Sequence, residues 1–142
     1  MTIALGGDHA GYNFKALIRD YLVAKSHICL DFGTFSSDSV DYPDFAHPAA
    51  EAVQSKKADL GIVVCGSGNG VAITANKHQG IRCALCWQVD VAELARAHND
   101  ANMLAIPARF ITLETTFLII DAFLNTAFEG GRHATRVNKM GC

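Results

Sequence analysis

The chain has 142 residues and a formal net charge of -2, with half of its residues hydrophobic and 18% charged. That length suits a single domain with a buried core, and the apolar share excludes a disordered chain. The balanced charge excludes a nucleic-acid binder that works by bulk attraction.

No basic segment leads into a leader-like apolar run, and no apolar run is long enough to span a bilayer. The expectation is a cytoplasmic protein with neither membrane nor nucleic acid as partner. Five cysteines occur, at Cys29, Cys65, Cys83, Cys86 and Cys142. An odd number in a chain with a good core reads as reduced thiols. Cys83 and Cys86 spell a C-x-x-C inside an expected strand, where residues three apart face opposite sides, so both read as core filler.

Taken in order, Thr2 to Leu5 reads as a buried strand running into Gly6-Gly7-Asp8-His9-Ala10-Gly11. Phe14, Leu17, Ile18, Tyr21 and Leu22 keep helical spacing and predict an amphipathic helix. Ile28 to Phe32 is a second strand, and a Ser- and Asp-rich loop from Thr34 to Asp44 carries Tyr42-Pro43 into a helix over Phe45 to Lys56. Leu60 to Val64 is a third strand, followed by Cys65-Gly66-Ser67-Gly68-Asn69-Gly70 and a helical segment from Val71 to Asn76.

Ile81 to Trp87 reads as a fourth strand, and Val91, Leu94, Ala95 and His98 as one face of a fourth helix. Met103 to Ile106 is a short fifth strand checked by Pro107. Thr112 to Phe128 is a long helix, and Gly130-Gly131 separates it from a polar C-terminal helix with Arg132 and Arg136. Strands alternating with helices predict a three-layer, Rossmann-like α/β domain over residues 1–142: a five-stranded parallel sheet with helices on both faces and ligands beyond the strands' carboxyl ends. The long helix is apolar nearly all round, from Phe117 to Leu124, which calls for a second subunit against its outer face.

The glycine loop is the centre of the chemistry. A strand, a Gly-rich turn and a helix N-terminus bring free N–H groups toward a negative ligand. A thiol at that position is either core filler or, against a helix N-terminus, nucleophilic or basic. The loop lacks the dinucleotide fingerprint, being G-x-G-x-G after the third strand rather than G-x-G-x-x-G after the first. Asp8, His9, Ser67 and Tyr42 gather on the same rim by topology, though each alone has a structural reading as a cap or loop residue. Arg132 and Arg136 are four apart on one helix face, the spacing of a phosphate clamp or of a solvated basic face. His98, before Asn99-Asp100, is read as functional. No metal-ligand spacing is present, so no metal or cofactor is expected.

Gly7-Asp8-His9-Ala10-Gly11, Asp41-Tyr42-Pro43, Cys65 to Gly70, Ala75-Asn76-Lys77, His98-Asn99-Asp100-Ala101-Asn102 and Glu129-Gly130-Gly131-Arg132-His133 resemble, in order, the type B ribose-5-phosphate isomerases, a family that includes galactose- and allose-6-phosphate isomerases. The resemblance implies cofactor-free interconversion of an aldose and a ketose sugar phosphate by a homodimer or a dimer of dimers. It implies Cys65 as the base between C1 and C2, where one branch uses a glutamate at the position of Val71. Gly66, Ser67, Gly68, Asn69 and Gly70 would hold the enediolate oxygens. Asp8, Ser67 and His98 would open the ring, with His98 as proton donor. His9, Arg109, Arg132 and Arg136 would bind phosphate, and Asn99 and Tyr42 would touch substrate. Ile106-Pro107-Ala108 replaces a usually Gly-containing turn before Arg109. The resemblance further implies a site shared between subunits, with Cys65 and its loop from one chain and His98, Asn99 and Arg109 from the other. Ribose 5-phosphate is the expected substrate and a six-carbon sugar phosphate the alternative. A non-catalytic sugar-phosphate-binding module would share the anion site without needing the thiol, and a thiol phosphatase would need an arginine closing the loop after Cys65.

Overall fold

The computed structural model describes residues 1–141, so Cys142 lies outside the described residues. The elements are β1 (Thr2–Gly7), α1 (Tyr12–Ala24), β2 (Ile28–Asp31), α2 (Pro43–Gln54), β3 (Leu60–Cys65), α3 (Asn69–Ala75), β4 (Cys83–Leu85), α4 (Val89–Asn99), β5 (Met103–Pro107), α5 (Leu113–Asn125) and α6 (Arg132–Val137). All strand pairs are parallel, in the order β2-β1-β3-β5-β4.

Alternation along the central strands sorts side chains between two helix layers. Ile3, Leu5, Ile62, Val64, Leu104 and Ile106 pack against Ile18 and Leu22 of α1, Ala92 and Ala95 of α4, and Ile119, Ile120 and Phe123 of α5. Ala4, Val63, Cys65, Met103 and Ala105 face α2 and α3. That second layer is built from small residues, with Ala46, Ala49 and Ala50 of α2 all fully buried. Small side chains on both sides bring α2 close to the sheet, and α2 in turn brings Tyr42, at its start, to the end of β3.

The order of strands reverses between β1 and β3, which are neighbours although β2 lies between them in sequence. A crevice opens outside the carboxyl ends of strands at such a switch point. Asp8 follows β1 there and Cys65 ends β3. Two glycines make the close approach possible. A Cβ on Gly11 would stand 2.6 Å from the Val64 carbonyl oxygen, and one on Gly7 would stand 2.5 Å from it.

Some expected boundaries shift. β1 and β3 run further than expected, to Gly7 and Cys65, while β4 keeps only Cys83 to Leu85 of the expected Ile81–Trp87 strand. Arg82 is diverted: its N–H donates to Asn102 Oδ1 at 2.8 Å instead of to a neighbouring strand. Cys83 and Cys86 do face opposite helix layers. α2 begins at Pro43 and ends at Gln54, and α5 stops at Asn125 because Thr126 turns to extended backbone. The apolar girth of α5 is covered largely within the chain. Thr116, Ile119, Ile120 and Phe123 are buried, Phe117 stacks on Tyr21 with ring centroids 4.1 Å apart, and Leu118 is the large side chain left exposed. No helix among the described residues is long and apolar enough to cross a membrane.

Because the Gly11 contact is with backbone, Gly11→Ala forces β3 and the start of α1 apart. Urea unfolding is expected to show a loss of about 1–3 kcal/mol, the usual cost of an overpacked core. An unchanged midpoint would mean that the crevice walls move without cost.

Candidate active site

Cys65 is the last residue of β3, 5% exposed, with its side chain on the α2/α3 face of the sheet. The loop after it folds back on the sulfur, and the Gly68 N–H donates to Sγ at 3.1 Å. Gly68 takes φ 75°, a conformation that only glycine adopts cheaply, and from it α3 departs. Negative charge on the sulfur would therefore be met by a backbone donor at the head of a helix.

The other residues of the crevice are set by their own local bonds. The Asp8 N–H donates to the Val64 carbonyl at 3.3 Å, and its Oδ1 accepts the Gly11 N–H at 3.1 Å, so the carboxylate caps its own loop while lining the crevice. His9 Nδ1 accepts the Val40 N–H at 3.2 Å. That bond places the ring proton on Nε2, leaving it free to donate. Tyr42 lies over the glycine loop: a Cβ on Gly70 would stand 2.6 Å from its ring. Arg109 is tied to the same loop by its N–H, which donates to the Gly66 carbonyl at 3.0 Å, and its side chain lies against the Cα of Gly66. Ser67 is exposed at the mouth, and its Oγ accepts the Asn69 N–H at 3.4 Å.

These residues enclose one pocket of about 430 Å³, lined by Asp8, His9, Tyr42, Cys65, Ser67 and Arg109, together with Gly66, Gly70, Ala10 and Phe110. Arg109 therefore belongs with Cys65 of its own chain, which corrects the expectation that a neighbouring chain supplies it. The turn Pro107-Ala108 leads it there through the Ala108 N–H, which donates to the Cys65 carbonyl at 3.0 Å. Ala10 and Phe110 went unnoticed in the sequence, having no chemistry of their own to signal them.

A second cluster lies elsewhere. Arg82, just before β4, donates from Nε to the carbonyls of Asn99 and Asp100 at 3.1 and 2.8 Å, which fixes the end of α4 at the amino edge of the sheet. His98 and Asn99 sit at that end. His98 stacks on His133 of α6 with centroids 4.1 Å apart, and α6 also carries Arg132 and Arg136, both exposed. Glu129 stands at the Nε2 edge of both rings, its Oε2 3.7 Å from His98 Nε2 and 3.5 Å from His133 Nε2. Burial, then the positive charge of His98 and Arg132, holds His133 below the usual imidazole range against the pull of Glu129. No metal is expected from the sequence, yet the fold brings donor atoms of these three side chains within 4.8 Å of one another. Only the i, i+4 spacing of Glu129 and His133 hinted at it, because His98 is remote in sequence. Within one chain, then, the crevice gathers Asp8, His9, Tyr42, Cys65, Ser67 and Arg109 but not His98, Asn99, Arg132 or Arg136. A five- or six-residue strand, about 17–20 Å long, separates the two edges.

A family model described as Ribose/Galactose Isomerase matches residues 3–140. A putative sugar phosphate isomerase of Rickettsia bellii is 46% identical over 97% of this chain and 96% of its own length. Ribose-5-phosphate isomerase B of Escherichia coli is 44% identical over 97% of this chain and 93% of its own. Among solved structures, ribose-5-phosphate isomerase B of Clostridium thermocellum superposes with a TM-score of 0.98 at 50% identity, over 99% of this chain and 95% of that one. Ribose-5-phosphate isomerase B of Mycoplasma genitalium, with bound ribulose-5-phosphate, does so at 0.94 and 40% identity, over 98% and 93%. With a switch-point crevice around a strand-end cysteine and near-complete coverage by these relatives, the chain belongs to the ribose/galactose isomerase family, in its type B ribose-5-phosphate isomerase branch.

Proposed function

We propose that the chain interconverts ribose 5-phosphate and ribulose 5-phosphate through an enediolate, with Cys65 as the base. One observation carries this reading: a strand-end thiol whose sulfur accepts a backbone N–H, set in a pocket with a buried carboxylate, a histidine free to donate from Nε2 and an arginine. Aldose–ketose isomerisation needs a base beside an acidified C–H, donors for the oxyanion that develops, and groups to open the ring. Cys65 takes the proton from C2 of the aldose and returns it to C1. The loop from Gly66 to Gly70 meets the O1 and O2 charge with N–H groups other than that of Gly68, which the sulfur engages. Asp8 and Ser67 handle the hydroxyl protons at ring opening, and Tyr42 covers the sugar. His9 and Arg109 hold negative charge in the pocket. A cytoplasmic setting is part of this reading, and the four described cysteines, all free, fit it.

We infer further that the site is completed by a second copy of the chain, forming a homodimer or a dimer of dimers. The support is topological. His98 and Asn99 lie at the amino edge of the sheet and Cys65 at its carboxyl edge, so they meet only across an interface. His98 of one copy then donates the ring-opening proton at the other copy's crevice, where Asn99 touches the sugar and Arg132 and Arg136 take the phosphate.

Cys65→Ala is expected to lower kcat by about two to four orders of magnitude, the usual share of acid–base catalysis, with KM little changed. Near-normal turnover would assign the proton to another group. In a panel of five- and six-carbon sugar phosphates, ribose 5-phosphate should be preferred, and a preference for allose or galactose 6-phosphate would replace the pentose assignment. Cys65→Ala and His98→Asn proteins should each be nearly inactive. Refolded together in equal amounts they should recover about a quarter of wild-type activity, because about half of the dimers are mixed and each mixed dimer holds one intact site. A dead mixture in which mixed dimers are demonstrated would place both residues in one site of one chain.

A further inference from the structure

We propose that His98, Glu129 and His133 form a binding site for a zinc-type divalent cation whose occupation shuts the enzyme off. Three observations converge on it. The trio is the only group of three such ligands among the described residues. Its carboxylate oxygen lies 3.7 and 3.5 Å from the two Nε2 atoms. Zinc held at about 2.0–2.1 Å by nitrogen and oxygen in a tetrahedron has ligand atoms about 3.3–3.4 Å apart, so the carboxylate oxygen already stands near the required distance from each ring nitrogen, and the adjustment falls on the rings. The two rings lie parallel, 6° apart. The half-exposed His98 ring must turn about its Cβ–Cγ bond for both lone pairs to converge.

The scaffold beneath is fixed. The Glu129 N–H donates to the Ala97 carbonyl at 3.0 Å, which ties the loop to α4, and the His133 N–H donates to the Gly130 carbonyl at 3.0 Å. Gly130 and Gly131, at φ 67° and 53°, make the turn that sets Glu129 beneath His133. His133 is more than nine-tenths buried and aims Nε2 at Glu129, while Glu129 is open enough for an ion to enter. Arg132 and Arg136 on the same helix oppose a dication, and the carboxylate offsets part of that charge.

An ion there takes the Nε2 lone pair of His98 and holds its ring. The binding claim stands on the geometry alone, whereas the inhibition rests on the reading of His98 as ring-opening acid. The test is made on the full-length assembled protein with Zn²⁺ by calorimetry and with Co²⁺ by visible absorption. The expected result is one ion per chain, tetrahedral Co²⁺ bands without sulfur charge-transfer absorption, and affinity at least about tenfold weaker in Glu129→Gln. Glu129 is largely exposed, so that variant keeps its fold; His133→Asn is the second variant. Saturating Zn²⁺ should lower turnover at least about tenfold with recovery on adding chelator, and in Glu129→Gln the ratio of rates without and with Zn²⁺ should fall toward one. Binding that survives Glu129→Gln, a thiolate signature in the Co²⁺ spectrum, or no binding overturns the site. Glu129-dependent binding with unchanged turnover overturns the role of His98 while leaving the ion site in place.

Discussion

The carbonyl of Val64 is the point on which the crevice depends. It accepts the Asp8 N–H at 3.3 Å, and the Cα atoms of Gly7 and Gly11 crowd it so closely that any side chain there would strike it. One residue further on is Cys65. The spacing between the carboxylate after β1 and the thiol after β3 is thus fixed by backbone contact rather than by side-chain packing. Backbone geometry is the stiffer of the two, and preorganised groups lose little free energy to reorientation when a substrate arrives.

The far wall of the crevice is held by a different means. Lys15 is 2% exposed and forms an ion pair with Asp31, which also accepts the Gly33 N–H at 3.0 Å. Removing one partner of such a pair would strand a buried charge, a loss of about 3–5 kcal/mol. Gly33 and Thr34 in turn exchange bonds with Gly7, the Gly33 carbonyl accepting at 2.9 Å and the Thr34 N–H donating at 2.7 Å. The loop that leads to Tyr42 therefore starts from a fixed base, although it carries no regular structure until α2.

Much of this was legible in the sequence because the signals were local. The apolar, β-branched run from Leu60 to Val64, the glycines after Cys65 and the spacing from Phe14 to Leu22 each report on neighbours a few positions away. What escaped was set by distant partners. β4 is an edge strand paired only with β5, and Arg82 leaves it for the Asn102 side chain, which hydrophobic pattern does not encode. His98 could be placed on a helix face, but its place at the sheet's amino edge follows from the return direction of α4. Arg109 was assigned to a neighbouring chain by resemblance, and the bonds of its turn to Cys65 and Gly66 put it in its own. The girth of α5 looked like a demand for a partner, yet α1 and α4 cover most of it.

Cys83 and Cys86 sit three residues apart under different helix layers, Cys83 beneath α2 and α3 and Cys86 beneath α1, α4 and α5. Burial pushes both thiols up, Cys86 to about 12, so neither reacts while its own layer stays closed. Each is a built-in reporter of local opening on one side of the sheet. Rates of thiol labelling would therefore separate a fold that opens by losing one layer first from one that opens as a unit.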